Sequence, residues 1–345
     1  MNSRDPSASA LYREAGEAPG AVAELLARNR ARVATIAKAL RAAPPRAVVT
    51  CARGSSDHAA TYAKYLIETR LGVLTASAAP SVASVYHASQ DLRDCLFLAV
   101  SQSGASPDLL ASAQAARRAG ARVIAIVNEE DSPLAASADH CLPLHAGREE
   151  SVAATKTWIA SLAALAQLVA AWSGDARLAA ALDAAPALLE RAWALPWDEA
   201  AERLARRDHL FTIARGIGLA VAQEAALKCK ETCGLHAESF SAAEVRHGPQ
   251  ALLGGAFPAL AFAQDDEARA SLEALVHDLV ARGVEVLAAG VAVEGAVPLA
   301  TVPSDPALQP MLLAQSFYRL ANALALARGL DPDRPPNLRK VTRTT

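Results

Sequence analysis

The sequence predicts an α/β protein made of two similar units in tandem, each a parallel sheet flanked by helices. Three observations lead there. Short segments that are apolar on both faces alternate with amphipathic ones, the pattern left by buried parallel strands and their crossover helices. After a long Ala-rich stretch the alternation starts again. The second round also repeats residues of the first: "ARGSSDHAATYAKYLIET" from Ala52 aligns with "ARGIGLAVAQEAALKCKET" from Ala214.

In chain order, residues 1–45 read as a helical arm, with clear helical periodicity from Val22 to Arg41. The first unit is expected over 46–175, with strands at 47–52, 73–78, 96–101, 122–128 and 140–145 and helices near 56–70, 81–88, 107–119 and 132–137. Residues 151–173 read as helical. Their near-apolar core, Trp158 to Trp172, falls short of the roughly 18 residues a membrane span needs and carries Ser161 and Gln167, so a buried helix is expected. A helical linker follows over 176–207. The second unit, 208–328, has strands at 210–215, 258–264, 284–290 and 296–302 and helices near 218–233, 267–282 and 308–328. A Pro-rich, basic tail occupies 329–345.

Composition narrows the function. The chain has 345 residues, 52% of them hydrophobic, enough for real cores. Its 34 basic and 36 acidic residues nearly cancel to a net charge of -2, so no overall field draws it to nucleic acid or an anionic membrane. Any anion site must be local. The five cysteines, Cys51, Cys95, Cys141, Cys229 and Cys233, are odd in number and scattered, with no CxxC pair and no zinc-ligand spacing. A reducing compartment fits them best. The first twenty residues lack the apolar core of a signal peptide, and a cytoplasmic location is expected.

Two turns have the form of an anion cradle. "ARGSSDH" sets Gly54, Ser55 and Ser56 between a strand and a helix; "SQSGASPD" does the same with Ser101, Gln102, Ser103, Gly104 and Ser106, and Pro107 suits a first helical turn. At the carboxyl edge of a parallel sheet, helix N-termini offer unpaired N–H groups, hydroxyls add donors, and glycine lets the backbone approach closely. Either turn alone reads as ordinary turn chemistry. Two on one sheet edge favour a phosphate monoester held mainly by neutral donors.

The second unit carries acid-base candidates. Glu224, Lys228 and Glu231 are spaced by four and three on one helix, which places them on one face. His236, Glu238, Glu244 and His247 follow closely. A solvated face with ordinary ion pairs is the plain alternative for Glu224 and Lys228. Sugar-phosphate isomerisation needs ring opening and proton transfer between adjacent carbons, for which a His, a carboxylate and a nearby cation suffice.

These motifs resemble the tandem sugar-isomerase-domain (SIS) family, especially the isomerase module of glutamine-fructose-6-phosphate aminotransferase. "SQSGASPD" is similar to that family's phosphate motif, "SVAATKTW" to its AxTK motif, "ALKCKETCGLHAESFSAAEVRHGP" to its catalytic segment and "DPDRPPNLRKVT" to its tail. The likeness runs from about residue 10 to the end. It implies two SIS domains, each a doubly wound, flavodoxin-like three-layer α/β/α sheet. It implies phosphate contacts from Ser56, Ser101, Gln102, Ser103 and Ser106, with Val152 lining the sugar. It further implies Glu231 as the base moving a proton between C1 and C2, Lys228 as its partner, and His247 as the ring-opening residue, supplied by the neighbouring subunit of a homodimer. Lys340 matches the tail lysine that approaches the sugar carbonyl. No metal or cofactor is implied.

Two departures shape the expected activity. Ala154 stands where the aminotransferase has Ser, which removes one donor to the sugar. No Cys follows Met1 and the resemblance begins near the N-terminus, so an aminotransferase using glutamine is not expected. "RGSSDHAATYAKYLIE", "AAPSVASVY" and "VTRTT" resemble stand-alone SIS-type glucosamine-6-phosphate deaminases more closely. The expected function is conversion of glucosamine 6-phosphate and water to fructose 6-phosphate and ammonia. Alternatives are another SIS aldose-ketose isomerase, a fructosamine-6-phosphate deglycase, a synthase-like isomerase using free ammonia, or a non-enzymatic sugar-phosphate sensor.

Overall fold

The computed structural model describes residues 5–254 and 257–340; the end of the tail motif, 341–345, lies outside them. Two helices open the chain, α1 (Ala10–Gly16) and α2 (Ala18–Ala42), so the arm is helical well before Val22. The first sheet set follows as β1 (Ala47–Cys51), α3 (Ser55–Leu71), β2 (Thr75–Ser77), α4 (Pro80–Ser84), β3 (Cys95–Ser101), α5 (Pro107–Arg118), β4 (Arg122–Val127), α6 (Pro133–Ser137), β5 (His140–Pro143) and α7 (Lys156–Ser173). Next come α8 (Ala176–Trp193) and α9 (Ala201–Leu204). The second set is β6 (His209–Ala214), α10 (Leu219–Cys233), β7 (His236–Ser241), α11 (Ala242–Val245), β8 (Ala259–Phe262), α12 (Arg269–Ala281), β9 (Val286–Ala289), β10 (Val297–Leu299) and α13 (Gln309–Ala327).

Every strand pairing in both sheets is parallel. The first sheet runs β2-β1-β3-β4-β5 and the second β10-β9-β8-β6-β7. Counted within each unit, both have the flavodoxin-like order 2-1-3-4-5, so the repeat legible at Ala52 and Ala214 is a repeat of topology. Alternate strand residues serve opposite faces. In the first sheet Phe97, Ala99, Val123 and Ala125 pack with Leu109 and Ala113 of α5. Helix α3 packs with α7 and meets β1 and β3. In the second, Phe211, Ile213, Ala261 and Ala288 pack with Leu272 and Leu275 of α12, while α10 packs on α13 and β6.

Among the described residues, 20–149, 156–184 and 339–340 form one compact unit, and 5–19, 150–155, 185–254 and 257–338 the other. No helix among them is long and apolar enough to cross a membrane. The Trp158–Trp172 run is the buried helix expected.

Several elements differ from the sequence reading, among them the short helix α11. The strand β7, His236–Ser241, is absent from that reading: this is an edge strand, paired among the described residues only with β6, and its polar residues leave it half-exposed. Helix α4 stops at Ser84. The stretch 151–155 is loop, and α7 begins at Lys156 because side chains upstream hold that start. The Glu149 carboxylate accepts from Thr157 N at 3.2 Å and from Thr157 Oγ1 at 2.6 Å, capping the new helix. The Glu14 carboxylate of α1 accepts from Glu150 N and, at 3.1 Å, from Ser151 N, which keeps those N–H groups out of a helix.

Candidate active site

In a doubly wound sheet, ligands bind beyond the strand carboxyl ends where the strand order reverses. In the first sheet that point lies between β1 and β3. The loops leaving these two strands are Arg53–Gly54, with Ser55 and Ser56 opening α3, and Gln102–Ser106, leading into α5 at Pro107. The structure therefore puts both sequence-predicted turns at the one crevice of that sheet.

The loop geometry depends on two glycines. Gly54 has φ +53° and forms the sharp entry to α3. Gly104 has φ +57°, and a Cβ there would lie 2.1 Å from Ser132 Oγ and 2.6 Å from Ser132 Cβ. Gly104→Ala is expected to destabilise this unit by about 2–5 kcal/mol, from left-handed strain plus the clash, measured as a lower urea midpoint. Ser101 is buried, and its Oγ accepts from Gly104 N at 3.1 Å; Ser103 Oγ accepts from Ala105 N at 3.3 Å. These two hydroxyls shape the loop. Ser106 is the N-cap residue of α5 yet makes no side-chain cap bond. Half-buried Ser56, Gln102 and Ser106 are poised differently, with polar side chains not committed to shaping the turn.

The same crevice in the second sheet, between β6 and β8, is filled. Gln264 is 2% exposed and donates from Nε2 to Arg215 O at 2.6 Å, and a Cβ on Gly218 would lie 2.3 Å from its Oε1. Asp265, Asp266 and Glu267 follow it. At the β6/β8 switch point a glutamine side chain thus takes the place that the Gly/Ser turns have in the first sheet, so the two repeats have diverged in chemistry.

The second unit instead carries a buried charge chain on α10. Lys228 and Glu224 are fully buried; Lys228 Nζ lies 3.2 Å from Glu224 Oε1 and 2.5 Å from Glu231 Oε2. Tyr318 of α13, also buried, donates to Glu224 Oε1 at 3.4 Å. The plain reading of Glu224 and Lys228 as a solvated face does not hold. Burial works against the charge on Lys228, but the carboxylates of Glu224 and Glu231 outweigh it and hold its pKa above the ordinary lysine value. Glu231 keeps 21% of its side chain exposed, so one end of this chain reaches solvent.

The remaining candidates separate. His247 lies in the exposed turn after α11, its backbone N–H donating to Glu244 O at 2.9 Å. His236 and Glu238 are exposed on β7, with His236 edge-on to His209. Val152 is half-buried in the loop that Glu14 holds. In the first unit, Lys340 Nζ lies 3.0 Å from Glu149 Oε2, whose side chain is fully buried. Among the described residues no three His, Cys, Asp or Glu side chains gather to hold a metal ion.

Arg53, Asp108, Glu149, Glu14 and Tyr318, which bond to the candidate residues or hold their loops, escape the sequence reading. Their partners lie tens to hundreds of residues away, so no local pattern marks them. Only the Glu149–Thr157 spacing leaves a local trace, an acid capping the next helix.

The SIS domain family model matches residues 43–171 and 203–301. The glutamine-fructose-6-phosphate aminotransferase (isomerizing) of Symbiobacterium thermophilum is 36% identical over 316 residues, which is 85% of this chain and 51% of that protein. The chain spans about half the length of the curated relatives it matches. A candidate phosphosugar isomerase from Silicibacter pomeroyi DSS-3 superposes with a TM-score of 0.91 at 46% identity, covering 94% of this chain and all of that one. A glucosamine-6-phosphate deaminase from Thermotoga maritima shares the fold, with a TM-score of 0.77 at 24% identity over 97% and 100% of the two chains. With both matched segments falling on the two parallel sheets, the chain belongs to the SIS domain family, two SIS segments in tandem.

Proposed function

We propose that the chain is a SIS-type sugar-phosphate isomerase and, within that class, a glucosamine-6-phosphate deaminase. The observation that carries the reading is the buried Glu224–Lys228–Glu231 chain with its one solvent-reaching carboxylate. Burying the charges of Glu224 and Lys228 is costly, and a partly exposed Glu held against a buried ammonium is suited to moving a proton. The two Gly/Ser turns at the β1/β3 switch point support a phosphate handle, while the resemblance of "RGSSDHAATYAKYLIE" to stand-alone deaminases narrows the reaction.

In this account Ser56, Ser101, Gln102, Ser103 and Ser106 hold the phosphate, with Gly54 and Ser55 shaping their approach, and Val152 lines the sugar. His247 opens the ring, and its exposure suits a residue that serves the partner subunit of a cytoplasmic homodimer. Glu231 takes the C2 proton of the open aldehyde and returns it to C1. O1 gains a proton and the amine gives one up, so that C2 becomes an imine; water adds to it, and ammonia leaves with fructose 6-phosphate as the other product. Lys228 fixes Glu231 and places positive charge beside the developing enediol-like anion. Lys340, parked on Glu149, is available to the carbonyl.

Ser106→Ala removes a hydroxyl that caps nothing. It is expected to raise KM for the sugar phosphate about 10-fold or more with kcat nearly unchanged, as for a group that binds ground and transition states alike. Ammonia release from glucosamine 6-phosphate by the purified protein tests the reaction itself. Turnover of another sugar phosphate with no ammonia from this one would overturn the deaminase reading.

A further inference from the structure

Arg53 joins the two loops of the crevice. It immediately precedes Gly54, and its Nε and Nη2 lie 2.9 and 2.8 Å from the same oxygen, Oδ2 of Asp108. Asp108 stands in the first turn of α5, two residues beyond Ser106, with its side chain fully buried; its other oxygen accepts from Leu109 N at 2.9 Å. A buried carboxylate thus anchors a guanidinium that is itself 50% exposed. The anchor engages Nε and one Nη2 proton, which leaves the Nη1 edge of the fork outside the Asp108 contact. A free arginine loses much rotamer freedom on binding an anion; one already pinned by a neighbour has lost it on folding.

Here the acid is buried and the base is half exposed beside the Gly/Ser turns, where the other nearby charges are Asp57 and His58 in the first turn of α3. We propose that Arg53 is a ligand of the substrate's phosphate and Asp108 its positioning residue, so that the cradle selects phosphorylated sugars by charge as well as by hydroxyl donors. This rests on the reading of the crevice as a phosphate site. It replaces the expectation of a mainly neutral cradle with one in which a fixed cation meets the dianion.

Inorganic phosphate is the probe, titrated calorimetrically into the full chain, with kinetics on the sugar phosphate alongside. In Arg53→Gln, phosphate affinity is expected to fall about 10- to 100-fold, the weight of a charge-assisted bond. Its salt dependence should flatten, because the lost contact is an exposed, screenable charge. KM should rise by a similar factor with kcat within about two-fold of the parent. Arg53→Lys should recover part of the affinity and the salt dependence, which a merely structural role would not restore. Asp108→Asn should weaken phosphate by a smaller factor. If Arg53→Gln melts as a folded protein and binds phosphate as the parent does, the role of Arg53 is overturned while the cradle stands. If the parent binds no phosphate up to tens of millimolar, the cradle reading fails and this proposal with it.

Discussion

Glu231→Gln is expected to lower kcat by about 100-fold or more while leaving KM within a few-fold of the parent. The amide keeps the shape of the carboxylate and can still accept from Lys228 Nζ, now 2.5 Å from Glu231 Oε2, but it cannot carry a proton between C2 and C1. General acid-base groups contribute about 10²- to 10⁴-fold, and a loss confined to kcat marks a group acting in the transition state. The same variant separates an enzyme from a sensor. A protein that only binds its sugar phosphate keeps its affinity in Glu231→Gln and shows no turnover to lose. Steady-state kinetics with a phosphate-binding titration in parallel gives both numbers.

The second large effect is on stability. Lys228→Met should destabilise the protein by about 3–5 kcal/mol, because Glu224 stays fully buried without its cation. That corresponds to a melting temperature lower by roughly 6–20 °C for the unit concerned. Adding Glu224→Gln to Lys228→Met should recover much of the loss, since replacing both members of a buried pair is often close to neutral. Recovery would show that the cost comes from the stranded carboxylate rather than from repacking. The pH dependence has a definite sign. The Lys228 pKa is raised on folding, so its stabilising contribution is complete below the ordinary lysine value of about 10.5 and is lost only as pH rises through the higher folded value. Between pH 6 and 9 this group should leave the urea midpoint flat, and the parent should lose stability at alkaline pH more steeply than the double variant.

Much of the fold is legible in the sequence because buried parallel strands such as "LFLAVS" and "RVIAIVN" are apolar on both faces, and each lies in the middle of a sheet. The strand β7 is illegible for the opposite reason. At the edge of its sheet it carries His236, Glu238 and Ser239, and its charge reads as chemistry before it reads as structure. The cradle is legible because Gly and Ser between a strand and a helix are local signals. The Glu224–Lys228–Glu231 face is legible from spacing alone, but its burial is not, since that depends on α13 packing about ninety residues away. Arg53 shows the limit most clearly. In sequence it is one more charged residue beside a turn, and only the fold brings it to Asp108, 55 residues on. The filled second crevice is likewise hidden, because Gln264 blocks it through a backbone carbonyl at Arg215.

On the proposed mechanism, a phosphate-anchored amino sugar loses its nitrogen through proton transfer by Glu231. The most direct test is ammonia release, assayed with the purified protein across 6-phosphorylated amino sugars and fructosamines. Glucosamine 6-phosphate should give ammonia and fructose 6-phosphate in equal amounts, with both abolished in Glu231→Gln. Ammonia formed only from a fructosamine phosphate, or undiminished turnover in Glu231→Gln, would contradict it.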